Sequence, residues 1–113
     1  MGYVTADDVA RRYVELSNAV DYEAMAELFA VDADWIPIRP MEPRKGRESI
    51  RAGYLEQVKH TNRPIINARY YADGDTCVAE FEVDLGDGEL AGIVDVFTLN
   101  SDGEIARLAV YRR

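Results

Sequence analysis

Asp95 lies within Ala91-Gly92-Ile93-Val94-Asp95-Val96-Phe97-Thr98-Leu99, a run in which a carboxylate is out of place. Both alternating faces of the run are apolar, which predicts a strand covered on both sides. An ionised, unpaired carboxylate there would be very costly, so the group must be paired, hydrogen-bonded or protonated. A protonated buried Asp donates a hydrogen bond at neutral pH, which is a tool for catalysis. A structural Asp satisfied by backbone amides or buried water meets the same constraint, and the strand alone leaves both readings open. Two tyrosines stand on helix faces that should point inward. Tyr13 shares its face with Val9 and Leu16 at i, i+4, i+7 spacing, and Tyr54 sits between Ile50 and Val58 at four-residue spacing. Taken singly, such a tyrosine packs its ring as core and finds its hydroxyl a partner.

The elements that must position these groups are three helical segments followed by strands. Thr5 caps the first helix, with Asp8 in place of the Glu or Gln of a capping box and Val4 and Val9 placed as a staple. Asp21 caps a second helix, Tyr22 to Phe29, and a short strand, residues 34–38, follows. Pro37 cannot donate to a ladder, so that strand is an edge or terminal one. Residues 39–46 read as a loop stiffened by two prolines, leading into a third helix from about Arg47 to Val58. After Pro64 the period changes to two. Residues 65–71, 76–85, 90–99 and 105–111 are predicted strands joined by Asp-Gly-rich hairpin turns. This order predicts an α+β domain spanning residues 1–113, with helices packed on one face of a curved, mainly antiparallel sheet. Glu80, Glu82 and Asp84 should form its solvated face. On the strand that carries Asp95, the opposite face (Gly92, Val94, Val96) needs a cover, for which a second copy of the chain is the simplest candidate.

Composition narrows the chemistry. The 113 residues are 48% hydrophobic and 30% charged, an ordinary globular balance. Net charge is −8, which repels nucleic acid and anionic membranes. No apolar run approaches the ~18 residues of a membrane span. The N-terminal stretch lacks a signal peptide's pattern, and Ala6 stands where a myristoylation site wants Ser or Thr. The single cysteine, Cys77, rules out an intramolecular disulfide, and the expected location is the cytoplasm. With one histidine, His60, read as a solvated loop residue, a zinc site or a His-dependent triad has almost no ligands to draw on. Nor does a glycine-rich phosphate loop appear, so no metal or cofactor is expected.

The pattern resembles the ketosteroid isomerases of the NTF2-like, SnoaL-like superfamily over nearly the whole chain. Arg12-Tyr13-Val14-Glu15-Leu16 is similar to the first-helix motif, whose tyrosine is the main oxyanion-hole donor. Ala30-Val31-Asp32-Ala33 and Gly46-Arg47-Glu48-Ser49-Ile50 are similar to the helix-end and third-helix motifs. Tyr54 falls at the second tyrosine, which bonds the first, and Asp95 at the protonated aspartate. Ketosteroid isomerase is the reference example of a carboxylic acid held neutral to donate a hydrogen bond, so that role comes with the resemblance. Two departures stand out. Pro37 occupies the place of the family's general base, and Phe29 replaces a third tyrosine. Epoxide hydrolases of the same fold want an Arg and an Asp where this chain has Ile93 and Val110.

The resemblance implies a cone-shaped fold with a pocket between the helices and the concave sheet face. Trp35, Phe81, Val83, Ile93, Phe97 and Leu108 should line it, with Tyr13, Tyr54 and Asp95 as its polar groups. The implied ligand is a hydrophobic carbonyl or phenol compound, such as a steroid or polyketide. The implied activity is proton transfer next to the carbonyl, of the steroid isomerase or polyketide cyclase type. Since proline cannot abstract a proton, a base would have to be Asp95 itself, or less directly Asp34 or Glu42, while Arg112 is a candidate partner for an anionic ligand. A non-catalytic binding protein and a structural dimerisation domain are the competing expectations, and a homodimer is expected in each case.

Overall fold

The computed structural model describes residues 4–57, 63–86 and 88–113. Val58 and His60, placed above in a helix end and a loop, lie outside the described residues, as does Asp87 of the predicted hairpin turn before residue 90. Helices α1 (Ala6–Asn18), α2 (Tyr22–Glu27) and α3 (Arg47–Gln57) pack against one face of a curved, unclosed six-stranded sheet. The strands are β1 (Phe29–Ile36), β2 (Arg44–Lys45), β3 (Ile65–Asp73), β4 (Thr76–Asp84), β5 (Leu90–Leu99) and β6 (Ile105–Arg112). They lie in the order β2-β1-β6-β5-β4-β3. Only β1 and β6 run parallel; the hairpin-linked strands β3 to β6 form an antiparallel meander. Among the described residues no helix is long and apolar enough to cross a membrane.

Local chemistry sets the helix ends. The Thr5 hydroxyl accepts from the Asp8 N–H at 3.1 Å, and Asp8 accepts from the Thr5 N–H at 3.3 Å, so the capping box closes with Asp in place of Glu. Asp21 accepts from the Ala24 N–H at 3.2 Å and starts α2. That helix is shorter than its apolar pattern predicts. The Ile105 N–H donates to the Leu28 carbonyl at 2.9 Å and Phe29 pairs with Ile105, so Phe29 opens β1. A lateral partner in β6 outweighs one more helical turn. The predicted 39–46 loop likewise holds a strand: Arg44 and Lys45 pair with Trp35 and Asp34. β1 therefore starts five residues before Asp34, is flanked on both sides, and stops at Ile36, immediately before Pro37.

Several tethers hold the helices on the sheet. Gly46, at φ +94°, turns the chain from β2 into α3, and its N–H donates to the Ala33 carbonyl at 2.7 Å. Arg47 donates to the Phe29 carbonyl at 2.8 Å and faces Glu104 at 3.3 Å. At the far end of α1, the Asn18 amide mimics a strand: it accepts from the Ile65 N–H at 2.7 Å and donates to the Ile65 carbonyl at 3.1 Å. That clasp ties α1 to the edge strand β3, whose free backbone groups would otherwise be open to another strand.

The inner face of β5 carries Ile93, Asp95 and Phe97 towards the helices. Phe97 is fully buried, pairs with Cys77 and Leu108, and meets the Tyr13 ring edge-on at 5.0 Å. On the outer face Val94 and Val96 are half-buried, and Gly92 is covered by the chain's own Arg113, whose guanidinium occupies the space a Cβ would need. The cover expected over Gly92 is thus supplied by the chain itself. Since Phe97 fills the core, Phe97→Ala should cost about 3–5 kcal/mol in denaturant unfolding, whereas Val94→Ala should cost well under half of that. A loss below about 1 kcal/mol for Phe97→Ala would show that its ring borders open space instead.

Candidate functional site

A cavity of about 230 Å³ opens between α1, α2, the segment after β1 and the inner face of the sheet. Tyr13 reaches it from α1, Tyr54 from α3 and Asp95 from β5. The helical period of α1 brings Tyr13 onto the same buried side as Val9, Ala10 and Leu16, which presses its ring against Phe29 and Phe97. Tyr54 is enclosed by more rings, with Tyr22 stacked on it at 5.7 Å and Trp35 edge-on at 6.0 Å. These contacts fix both hydroxyls, which lie 2.5 Å apart in a buried hydrogen bond. One hydroxyl donates to the other, and the acceptor keeps its own proton free to point elsewhere.

Asp95 is 3% exposed, and its Oδ1 has no hydrogen-bond partner. Burial alone pushes its carboxyl up to about 8. Burial also raises the Tyr13 hydroxyl well above its ordinary value, with Tyr54 and Asp95 adding to the effect. Tyr54 moves up for the same reason. All three groups are therefore neutral donors at pH 7. The sign of the linkage follows from the direction. A raised carboxyl pKa leaves the fold unburdened by Asp95 below the unfolded value of ~3.9. Stability is then lost as pH rises from there through about 8, because the folded state holds its proton longer than the unfolded chain.

Of the residues expected to line the pocket, Trp35, Phe81, Val83 and Ile93 border this cavity. Phe97 and Leu108 do not: both are 0% exposed and pack deeper in the core, where Phe97 supports Tyr13. They share a sheet face with the lining residues, but alternation fixes a side chain's face and not its depth. Further lining residues come from segments whose pattern said little: Ser17, Tyr22 and Met25 from the helices, and Ile38 and Met41 beyond Pro37. Arg63 and Ile65 border it at the start of β3, and Val110 from β6. Tyr22 had a legible signal, since it opens an apolar helix. Arg63 and Met41 had none, because neither sits in a periodic segment.

The alternative bases and cation lie outside the cavity lining. Asp34 pairs with Lys45 at 3.2 Å, and Glu42 and Arg112 are exposed. Pro37 is buried and borders the cavity, which leaves Asp95 as the one carboxyl that the described residues bring to the lining. Ile93 and Val110, where epoxide hydrolases of this fold want charged groups, present apolar walls. Among the described residues no group of three His, Cys, Asp or Glu side chains is placed to hold a metal ion.

Comparison with known proteins agrees with this architecture. A protein from Sphaerobacter thermophilus superimposes with a TM-score of 0.84 at 23% identity, covering 97% of both chains. A candidate polyketide cyclase from Pseudomonas putida gives 0.83 at 23% identity, over 97% of this chain and 92% of that one. SalBIII, an epoxide hydrolase/cyclase-like enzyme of pyran ring formation in the polyether salinomycin, gives 0.78 at 23% identity, over 96% and 90%. At these identities the likeness is one of fold. No protein of curated function matches the chain in sequence. The SnoaL-like domain model matches residues 10–108, nearly the whole chain including the helices and strands that build the cavity, and the protein belongs to the SnoaL-like domain family of the NTF2-like superfamily.

Proposed function

We propose that the protein binds a hydrophobic carbonyl or phenol compound of the steroid or polyketide type. Tyr13 and protonated Asp95 donate to the ligand oxygen, in the manner of a ketosteroid isomerase oxyanion hole. The observation that carries this reading is Asp95, which lines the cavity and whose buried Oδ1 has no hydrogen-bond partner. A buried polar atom in that state costs about 1–3 kcal/mol, and a ligand oxygen would supply the missing bond. Tyr13 provides a second donor when Tyr54 donates to it, since the Tyr13 proton is then free. Trp35, Phe81 and Ile93 offer flat, apolar walls to a ring system. At about 230 Å³ the cavity is smaller than the roughly 300–1,000 Å³ of drug-sized sites. A small ring system fits inside, and a larger body such as a steroid extends through the mouth.

A second reading is favoured by Asp95 being, among the described residues, the one carboxyl in the lining. With Pro37 at the place of the isomerase base, proton transfer next to a carbonyl would run through Asp95 alone. Its ionised form takes the proton from the α-carbon, the C–H electron pair becomes the enolate, and the Tyr13–Tyr54 pair holds the enolate oxygen. A carboxyl titrating at about 8 is poised near neutral pH for that step. Proton-transfer chemistry of this kind would suit a cyclase as well as an isomerase.

A homodimer joined through the outer face of the sheet accompanies both readings. Val94, Val96 and Val78 are half-buried there beside the more exposed Tyr71 and Tyr111. Light scattering should find a dimer at high micromolar concentration; a monomer would contradict this.

Ligand binding is tested by calorimetry with 3,4-dinitrophenolate at about pH 6.5, where the phenol is ionised and Asp95 protonated. Tyr13→Phe and Asp95→Ala should each weaken binding by about 10- to 100-fold, the worth of a hydrogen bond to a charged oxygen. Equal affinity in all three proteins would remove the donor role. Turnover of a β,γ-unsaturated ketosteroid then separates an enzyme from a binding protein.

A further inference from the structure

The cavity has a chemical polarity along its depth. Tyr13, Tyr54 and Asp95 are buried at its inner end, whereas Arg63 and Met41 line it yet are exposed, so they form its mouth. Among the described residues Arg63 is the one cation in the lining. Its guanidinium donates to the Asp84 backbone carbonyl at 2.8 Å, while the Asp84 carboxylate turns away to accept from the Gly86 N–H at 2.7 Å. Arg63 is thereby held in place by a neutral acceptor that uses one of its N–H groups and none of its charge. Arg11, Arg12, Arg47, Arg51 and Arg113, by contrast, each face a carboxylate.

The backbone around Arg63 is restrained as well. Pro64 follows it and limits it to extended conformations. The Asn18 clasp fixes Ile65 immediately beyond. A guanidinium so placed has a planar fork of donors to offer a carboxylate, a geometry that lysine cannot reproduce.

We propose that Arg63 sets the specificity of this pocket by binding a carboxylate on the outer end of the ligand, whose inner oxygen is held by Tyr13 and Asp95. The favoured ligand is thus an aromatic or polyketide acid carrying a carbonyl or phenol at its opposite end. The inference rests on the binding reading given above and adds the second anchor. It also fits the cavity's size, since a ligand that fills about 230 Å³ ends at the mouth, where Arg63 is.

The test is calorimetric titration with two probes that differ only in the outer group, 2-naphthol and 6-hydroxy-2-naphthoate. The unmodified protein should bind the naphthoate about three- to tenfold more tightly than the naphthol, and added salt should narrow the gap. Arg63→Gln should erase that preference while leaving naphthol affinity within about twofold. Arg63→Lys should restore only part of it, because the charge returns without the fork. Arg63 is exposed, so neither substitution threatens the fold. Naphthol binding with no preference for the naphthoate, or an Arg63→Gln loss equal for both probes, would overturn the role of Arg63 and leave the inner site standing. Failure of both probes to bind would overturn the inner site and this inference together.

Discussion

A buried carboxyl group with one oxygen left without a hydrogen-bond partner is the constraint on which the site depends. Asp95 sits on the inner face of a strand whose neighbours are apolar, and its Oδ1 has no hydrogen bond. Its surroundings therefore select the neutral acid, which alone can remain in such a place without a counter-charge. Tyr13 and Tyr54 answer to the same environment: low polarity holds both hydroxyls protonated. Three neutral polar groups at one end of an apolar cavity form the cluster that the proposed ligand oxygen, uncharged or delocalised, would meet. A compact, strongly hydrated anion would lose its water there without comparable return.

The rest of the fold keeps that cluster from relaxing. Were Tyr13 free to swing, it could bond Asp95 or turn to solvent. Phe29 and Phe97 block its ring on two sides, while Tyr22 and Trp35 do the same for Tyr54. The helices that carry these rings are in turn tethered by Arg47 on the Phe29 carbonyl and Asn18 on Ile65. Rigidity of this kind matters to the proposed binding role, because donors fixed in advance would spend little on reorganisation around a ligand oxygen. The residues at the mouth belong to segments outside the regular elements and have fewer such restraints, Arg63 being the exception.

How much of this was legible in the sequence depended on whether each residue sat in a periodic segment. Asp95 stood out because the strand around it is apolar on both faces, and Tyr13 because α1 repeats cleanly at helical spacing. The order of helices and strands was equally visible from caps and hairpin turns. Phe29 was misplaced into α2 because its partner Ile105 lies far away in sequence, and pairing across the sheet leaves no local trace. β2 was hidden for a similar reason: two residues between Pro43 and Gly46 form a strand only because Trp35 and Asp34 lie alongside. Phe97 and Leu108 were assigned to the right face at the wrong depth, since a period of two carries no information about distance from the mouth. The charges at the rim could not be ranked at all before their partners were known.

The central claim is that Asp95 is a neutral acid at physiological pH, and titration of its carboxyl carbon by NMR tests that most directly. With the unliganded protein, the midpoint should fall near 8. A midpoint well below 7, and most plainly one at the ordinary carboxylate value of ~3.9, would contradict the account, for Asp95 would then be an ionised side chain unable to donate to any ligand.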